Sequence, residues 1–219
     1  MKTAMMIGVI SILAAIGTDL GGSRPGSFHD TSVISATEVD IDGDGQNKVL
    51  EVRLVNGCRY VDERLWCGLG DKWEGKFELR VRRGARILAN TSLNHLMERE
   101  TLFFHAPAFD LALHDYNRDG DIDFDLGAYA GCNGAYYYLF TIAPDGKVTR
   151  LGGQKHYMFG HANSSCDILL ADGLVGFTYY SQSSGIYETT WCQWDGEMFE
   201  EVRREPAADS FWNRSCATQ

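Results

Sequence analysis

Apolar and polar positions alternate with a period of two along much of the chain. Val49, Glu51 and Arg53 alternate with Leu50, Val52 and Leu54; Phe77, Leu79 and Val81 alternate with Glu78 and Arg80; Phe109, Leu111 and Leu113 alternate with Asp110, Ala112 and His114. That period places one face of a strand in a core and the other in water. Residues 136–142 are nearly all aromatic or β-branched and predict a strand buried on both faces. Further strands are expected at 33–39, 168–171, 174–180, 187–192 and 198–202, and only 93–99 reads as helical. Asp-Gly or Asn-Gly dipeptides separate these runs at Asp44-Gly45, Asn56-Gly57, Asp119-Gly120, Asp145-Gly146, Asp172-Gly173 and Asp195-Gly196. Such dipeptides supply the positive φ angles of tight hairpin turns. Short strands with closely spaced turns predict an all-β fold, with antiparallel hairpins in a propeller-like or sandwich assembly and little helix.

The 219 residues suit one domain, taken as 32–219. Residues 4–17 form an uncharged apolar run behind Met1-Lys2. The run is too short to cross a bilayer but suits the core of a signal peptide over 1–17, with a flexible arm at 18–31. Loss of Lys2 takes the net charge from -10 to -11. No later segment is apolar and long enough to span a membrane. Export to the periplasm or the exterior gives the six cysteines (Cys58, Cys67, Cys132, Cys166, Cys192 and Cys216) a role in disulfides, with Cys58 and Cys67 the expected local pair. The acidic balance argues against nucleic-acid binding, which needs a basic footprint, and favours a basic partner or bound cations.

Two acidic loops carry the clearest chemistry. The first holds Asp40, Asp42, Asp44, Gly45, Gln46, Lys48 and Glu51; the second holds Asp115, Asn117, Asp119, Gly120, Asp121 and Asp123. Oxygen side chains at the first, third and fifth places converge when a glycine at the sixth turns the chain, and a carbonyl and a later carboxylate complete the shell of a hard cation such as Ca2+. The second loop ends on Asp123 at the ninth place. The first has Lys48 there, which is no ligand, but Glu51 stands at the twelfth. Strand-like flanks exclude a helix–loop–helix calcium hand. The bland alternative for both loops is an Asx-rich turn in solvent.

The second loop is followed by Gly127, Gly131, Gly134 and Tyr136-Tyr137-Tyr138, then Asp145-Gly146, and later Ser184-Gly185-Ile186-Tyr187. This order resembles calcium-binding periplasmic inhibitors and immunity proteins directed at cell-wall glycan hydrolases, similar to the periplasmic inhibitors of i-type lysozyme. The acidic loop alone is also shared with FG-GAP-type calcium hairpins. The resemblance covers roughly residues 85–205. It implies Ca2+ as the cofactor, a lysozyme-like or other cell-wall glycan hydrolase as the partner, and an inhibitory loop of Ser184, Gly185 and Tyr187 that enters the enzyme's cleft. A hydroxyl and a phenol suit a pair of catalytic carboxyl groups, and an aromatic ring can replace a sugar face.

No nucleophile elbow, zinc-protease motif or phosphate loop is present, so no enzyme is expected. A calcium-dependent adhesion or carbohydrate-binding module of the FG-GAP type is the alternative. The hairpin-turn reading of Ser183-Ser184-Gly185, with Tyr187 opening the next strand, competes with the inhibitory one.

Overall fold

The period-two runs pair with their chain neighbours, which is the cheapest way to satisfy a strand's backbone groups. In the structure, a computed structural model, residues 32–62, 70–106, 109–131, 134–152, 158–160 and 168–208 are described. Sheet A is a meander of β1 (Ser32–Val39), β2 (Lys48–Asp62), β3 (Gly70–Arg83) and β4 (Arg86–Ser92), and β5 (Leu102–His105) also pairs with β3. Sheet B has the order β10-β8-β7-β6, with β6 at Leu113–His114, β7 at Ile122–Gly131, β8 at Gly134–Ile142 and β10 at Met158–Gly160. A short β9 (Val148–Arg150) adds to β8. Sheet C runs β11 (Ile168–Ala171), β12 (Leu174–Ser181), β13 (Ile186–Trp194) and β14 (Phe199–Pro206), with β14 at its edge. All pairings are antiparallel. The expected all-β class holds, as stacked hairpin sheets rather than a closed barrel.

Sheet B lies between the other two. Phe124, Leu126, Phe140 and Ile142 join Leu50, Val52, Phe77 and Leu79 of sheet A in one core. Tyr137 and Leu139 join Ile168, Val175, Phe177 and Phe199 of sheet C in a second. Alternate residues of β8 therefore feed opposite cores, which is why residues 136–142 lack a polar face. On β7, Asp123 and Asp125 alternate with Phe124 and Leu126, and both are fully buried.

The turns follow their glycines in most cases. At Asp172-Gly173 both residues have positive φ, 51° and 80°, in a two-residue hairpin closed by the Ala171–Leu174 pair. Asn56-Gly57 differs from expectation. It lies inside β2 beside a bulge, where Gly57 faces Gly75 of β3. A Cβ on Gly57 would sit 2.0 Å from the Glu74 carbonyl, so glycine here serves a close backbone approach rather than a turn. The alternating stretch Phe109–Leu113 is not a full strand; only Leu113 and His114 pair. The Leu111 amide donates to Thr37 Oγ1 at 3.3 Å, so a side chain replaces the ladder. The expected helix shortens to α1 (Leu93–Leu96), capped by Ser92.

The expected disulfide at Cys58 is not formed, and Cys192 is also a free thiol. Burial, then the Glu74 charge, raises the Cys58 thiol, and burial, then Glu201, pushes Cys192 up to about 11. Cys67, Cys132, Cys166 and Cys216 lie outside the described residues, as do the signal-peptide segment 1–17 and all of the 18–31 arm. Among the described residues no helix is long and apolar enough to cross a membrane.

Candidate metal centre

The two acidic loops link β1 to β2 and β6 to β7, and they fold alike. In the first, the Gly45 amide donates to Asp40 Oδ2 at 2.9 Å, Asp44 N to Asp42 Oδ1 at 3.3 Å and Gln46 N to Asp44 Oδ1 at 2.8 Å. In the second, Gly120 N donates to Asp115 Oδ2 at 3.1 Å, Asp119 N to Asn117 Oδ1 at 3.1 Å and Asp121 N to Asp119 Oδ1 at 2.8 Å. The same chain of Asx turns therefore recurs residue for residue. The fourth place is left-handed in both, Gly43 at φ 69° and Arg118 at φ 63°, and so is the sixth, Gly45 at 78° and Gly120 at 94°. The second place is buried in both, as Ile41 and Tyr116. That apolar anchor fixes each loop to its sheet.

The loops part company at the ninth place, where the chain enters the next strand. Lys48 is 1% exposed and Asp123 is 0% exposed. The Lys48 ammonium donates to Asp42 and, at 2.8 Å, to Asp44 Oδ1, and lies 3.7 Å from Asp40 Oδ1. Its hydrogen bond holds the Asp42 carboxyl at about 2, and the two aspartates raise Lys48 against the pull of burial. Asp40, Asp42 and Asp44 offer oxygens within 4.8 Å of one another, the one such carboxylate trio among the described residues. Like charges at that spacing need a cation, and here Lys48 supplies it.

Asp123 has no such partner. The Tyr116 amide donates to its Oδ2 at 2.8 Å, while Oδ1 is buried without a hydrogen bond of ordinary geometry. Burial pushes the carboxyl up to about 6, against the pull of the Thr141 hydroxyl and the Tyr116 amide. Beside it the Tyr116 hydroxyl donates to Asp125 Oδ1 at 2.8 Å, and burial followed by the Asp125 charge raises the phenol. Asp115, Asp119 and Asp121 are exposed. Asn117, in the place of Asp42, donates to Asp119 Oδ2 at 2.7 Å. Among the described residues no lysine or arginine pairs with Asp115, Asp119, Asp121 or Asp123. Arg118 turns away, its guanidinium lying against Gly173 in the β11–β12 turn.

Two further predicted ligands of the first loop are engaged elsewhere. Glu51 lies along β2 and takes Arg82 Nε at 2.6 Å, so the strand carries it away from the loop. Gln46 Oε1 accepts from Arg83 at 3.3 Å, and Arg83 also reaches Asp44 Oδ2 at 3.3 Å. Sequence reasoning missed Asp125 and the positive role of Lys48. The first was legible from its shared parity with Asp123 on β7; the second emerges only once Lys48 is seen buried at the place that Asp123 takes in the other loop.

Ser184 and Gly185 sit at the tip of the β12–β13 hairpin. Residues 182–186 are exposed, and Gly185, at φ 73°, has no atom within 4 Å of where a Cβ would be. Its amide donates to the Ser181 carbonyl at 2.8 Å and closes the turn. Tyr187 is half-buried and pairs across the strands with Tyr180, ring centroids 5.3 Å apart in an edge-on contact. The tip is thus both an ordinary hairpin turn and an open surface, with Ile186 and Tyr180 exposed beside it. An open depression beside α1, lined by Asn94, His95, Glu98, Arg99 and Glu100, contains none of the predicted site residues. No family model matches the chain, and no curated protein or solved structure shows significant similarity to it.

Proposed function

We propose that the protein is a non-catalytic, calcium-stabilised β protein of the periplasm or exterior that offers its β12–β13 tip to a lysozyme-like cell-wall glycan hydrolase. The observation that carries this reading is the tip itself. It is a short turn closed by a backbone hydrogen bond, with Ser184 and Gly185 in open solvent and Tyr187 braced by Tyr180. A preorganised tip loses little entropy on binding, and tyrosine offers a large contact area with a polar end. Ser184 and the Tyr187 phenol would hydrogen-bond the carboxyl pair of such an enzyme, and Gly185 would let the chain turn without a side chain in the way. The net charge of -10 would steer a basic hydrolase toward it.

Ca2+ fits the 115–123 loop by donor chemistry. Asp115, Asn117, Asp119 and Asp123 present side-chain oxygens on a frame built of Asx turns, and Asp121 adds its carbonyl. The fit rests on Asp123, a buried carboxylate whose Oδ1 has no hydrogen bond of ordinary geometry. A hard cation would neutralise it and hold the loop between sheets B and C. Carbohydrate binding has less support: among the described residues Trp73 and Trp191 are buried, and Trp194 is half-buried against Phe199.

The test is lysis of cell walls by a panel of lysozyme-like hydrolases with and without the purified protein. At least one should be slowed, and Tyr187→Ala should relieve the inhibition while the fold persists by circular dichroism. If no hydrolase is slowed, the reading is wrong.

A further inference from the structure

We infer that Lys48 is the resident cation of the first acidic loop, so that the chain takes one divalent ion rather than two, and loop 40–46 becomes a calcium site only when that lysine is removed. The inference deepens the calcium reading above and rests on it for the ion held by the second loop.

The two loops are internal copies in their hydrogen bonds, their left-handed residues and their buried second place. They differ in what the ninth place delivers. In loop 115–123 it delivers a buried negative charge, Asp123. In loop 40–48 it delivers a positive one, on a side chain 1% exposed and aimed at Asp40, Asp42 and Asp44. An ammonium held among three carboxylates fills the place that a divalent ion would need. Arg83, 3.3 Å from Asp44, adds a second positive charge at the rim. Asp40, Asp42 and Asp44 converge around the ammonium, whereas the second loop has Asn117 at the third place and so one carboxylate fewer in that set. A calcium ion entering here would meet a buried like charge, and the lysine would have to leave its partners first. Lys48 also begins β2, pairing with Val39, so the substitution of an organic cation for a metal ties loop closure directly to sheet A.

Lys48→Asp copies the ninth place of the second loop into the first. Equilibrium dialysis with Ca2+ alone reads the number of ions bound, at millimolar concentrations in line with extracellular modules. One ion is expected for the wild type, two for Lys48→Asp, none for Asp123→Asn, and one for the double variant. Two ions on the wild type would overturn the Lys48 assignment while leaving the second loop as a site. No ion on the wild type but one on Lys48→Asp would support Lys48 and overturn the calcium reading of the second loop. No gain in Lys48→Asp would overturn the inference. Lys48→Met guards against a variant that fails to fold. In chelator it should melt several degrees below the wild type, and Ca2+ should restore it in the Asp123→Asn background, where the second loop is silent. Equal melting of Lys48→Met and wild type in chelator would show that the ammonium is not the loop's cation.

Discussion

Asp123 shows how one buried carboxyl sets the pH response of its loop. Its folded value, about 6, lies above the ordinary 3.8. A raised carboxyl is stabilised in its protonated form, so the ion-free fold loses stability as pH rises from about 4 to about 6. Melting in chelator should therefore fall across that window. Ca2+ bound as proposed would reverse the sense, because protons compete for the same oxygen; calcium affinity should drop as pH falls below about 6, read by titration calorimetry at two pH values. Asp123→Asn should raise the melting temperature in chelator by roughly 3–6 °C, since it removes a buried charge, and abolish the gain from Ca2+. Equal melting of wild type and variant in chelator would place the charge in water instead. The acidic residues were legible from spacing alone. The contrast at the ninth place was not, because a one-letter difference, Lys48 against Asp123, gains meaning only once both are seen buried at the same point of the same frame. Glu51 misled for a related reason: spacing placed it at a ligand position, but strand geometry hands it to Arg82.

Among elements, the two longest strands depend on a glycine pair. Gly57 and Gly75 face each other across β2 and β3, each with backbone where a Cβ would go. Gly57→Ala should cost about 3 kcal/mol or more, because backbone atoms cannot step aside as a flexible side chain can; urea denaturation measures it. The Asn56-Gly57 dipeptide looked like a turn, since the same flexibility serves turns and close approaches alike. Asp172-Gly173, by contrast, was read correctly, because the strands on both sides are short and leave the dipeptide no other place. The β12–β13 hairpin was likewise visible as strand, turn and strand. Tyr187→Ala should cost only about 0.5–1.5 kcal/mol from the lost pairing with Tyr180, a loss small enough that any larger effect on hydrolase inhibition reports contact with the enzyme.

Across the whole molecule, stability converges on the middle sheet. Phe140 is 0% exposed and stacks on Phe124 at 5.0 Å. Phe140→Ala should cost about 3–5 kcal/mol, checked by denaturant unfolding. The apolar density of residues 136–142 forecast two buried faces, but which sheets fill them depends on contacts between chain segments far apart in sequence, and no local pattern encodes those. The stack is also open-ended, and its last strand shows how growth is stopped. Along β14 only Phe199 is buried, while Glu200, Glu201, Arg203 and Arg204 face solvent, with Arg204 clasping Glu201 at 2.7 Å. A border with no partner strand among the described residues invites a neighbour's backbone, and charge is the usual deterrent. Replacing those four residues with threonine and valine should make the protein seed filaments, visible as thioflavin fluorescence at concentrations where the parent stays clear.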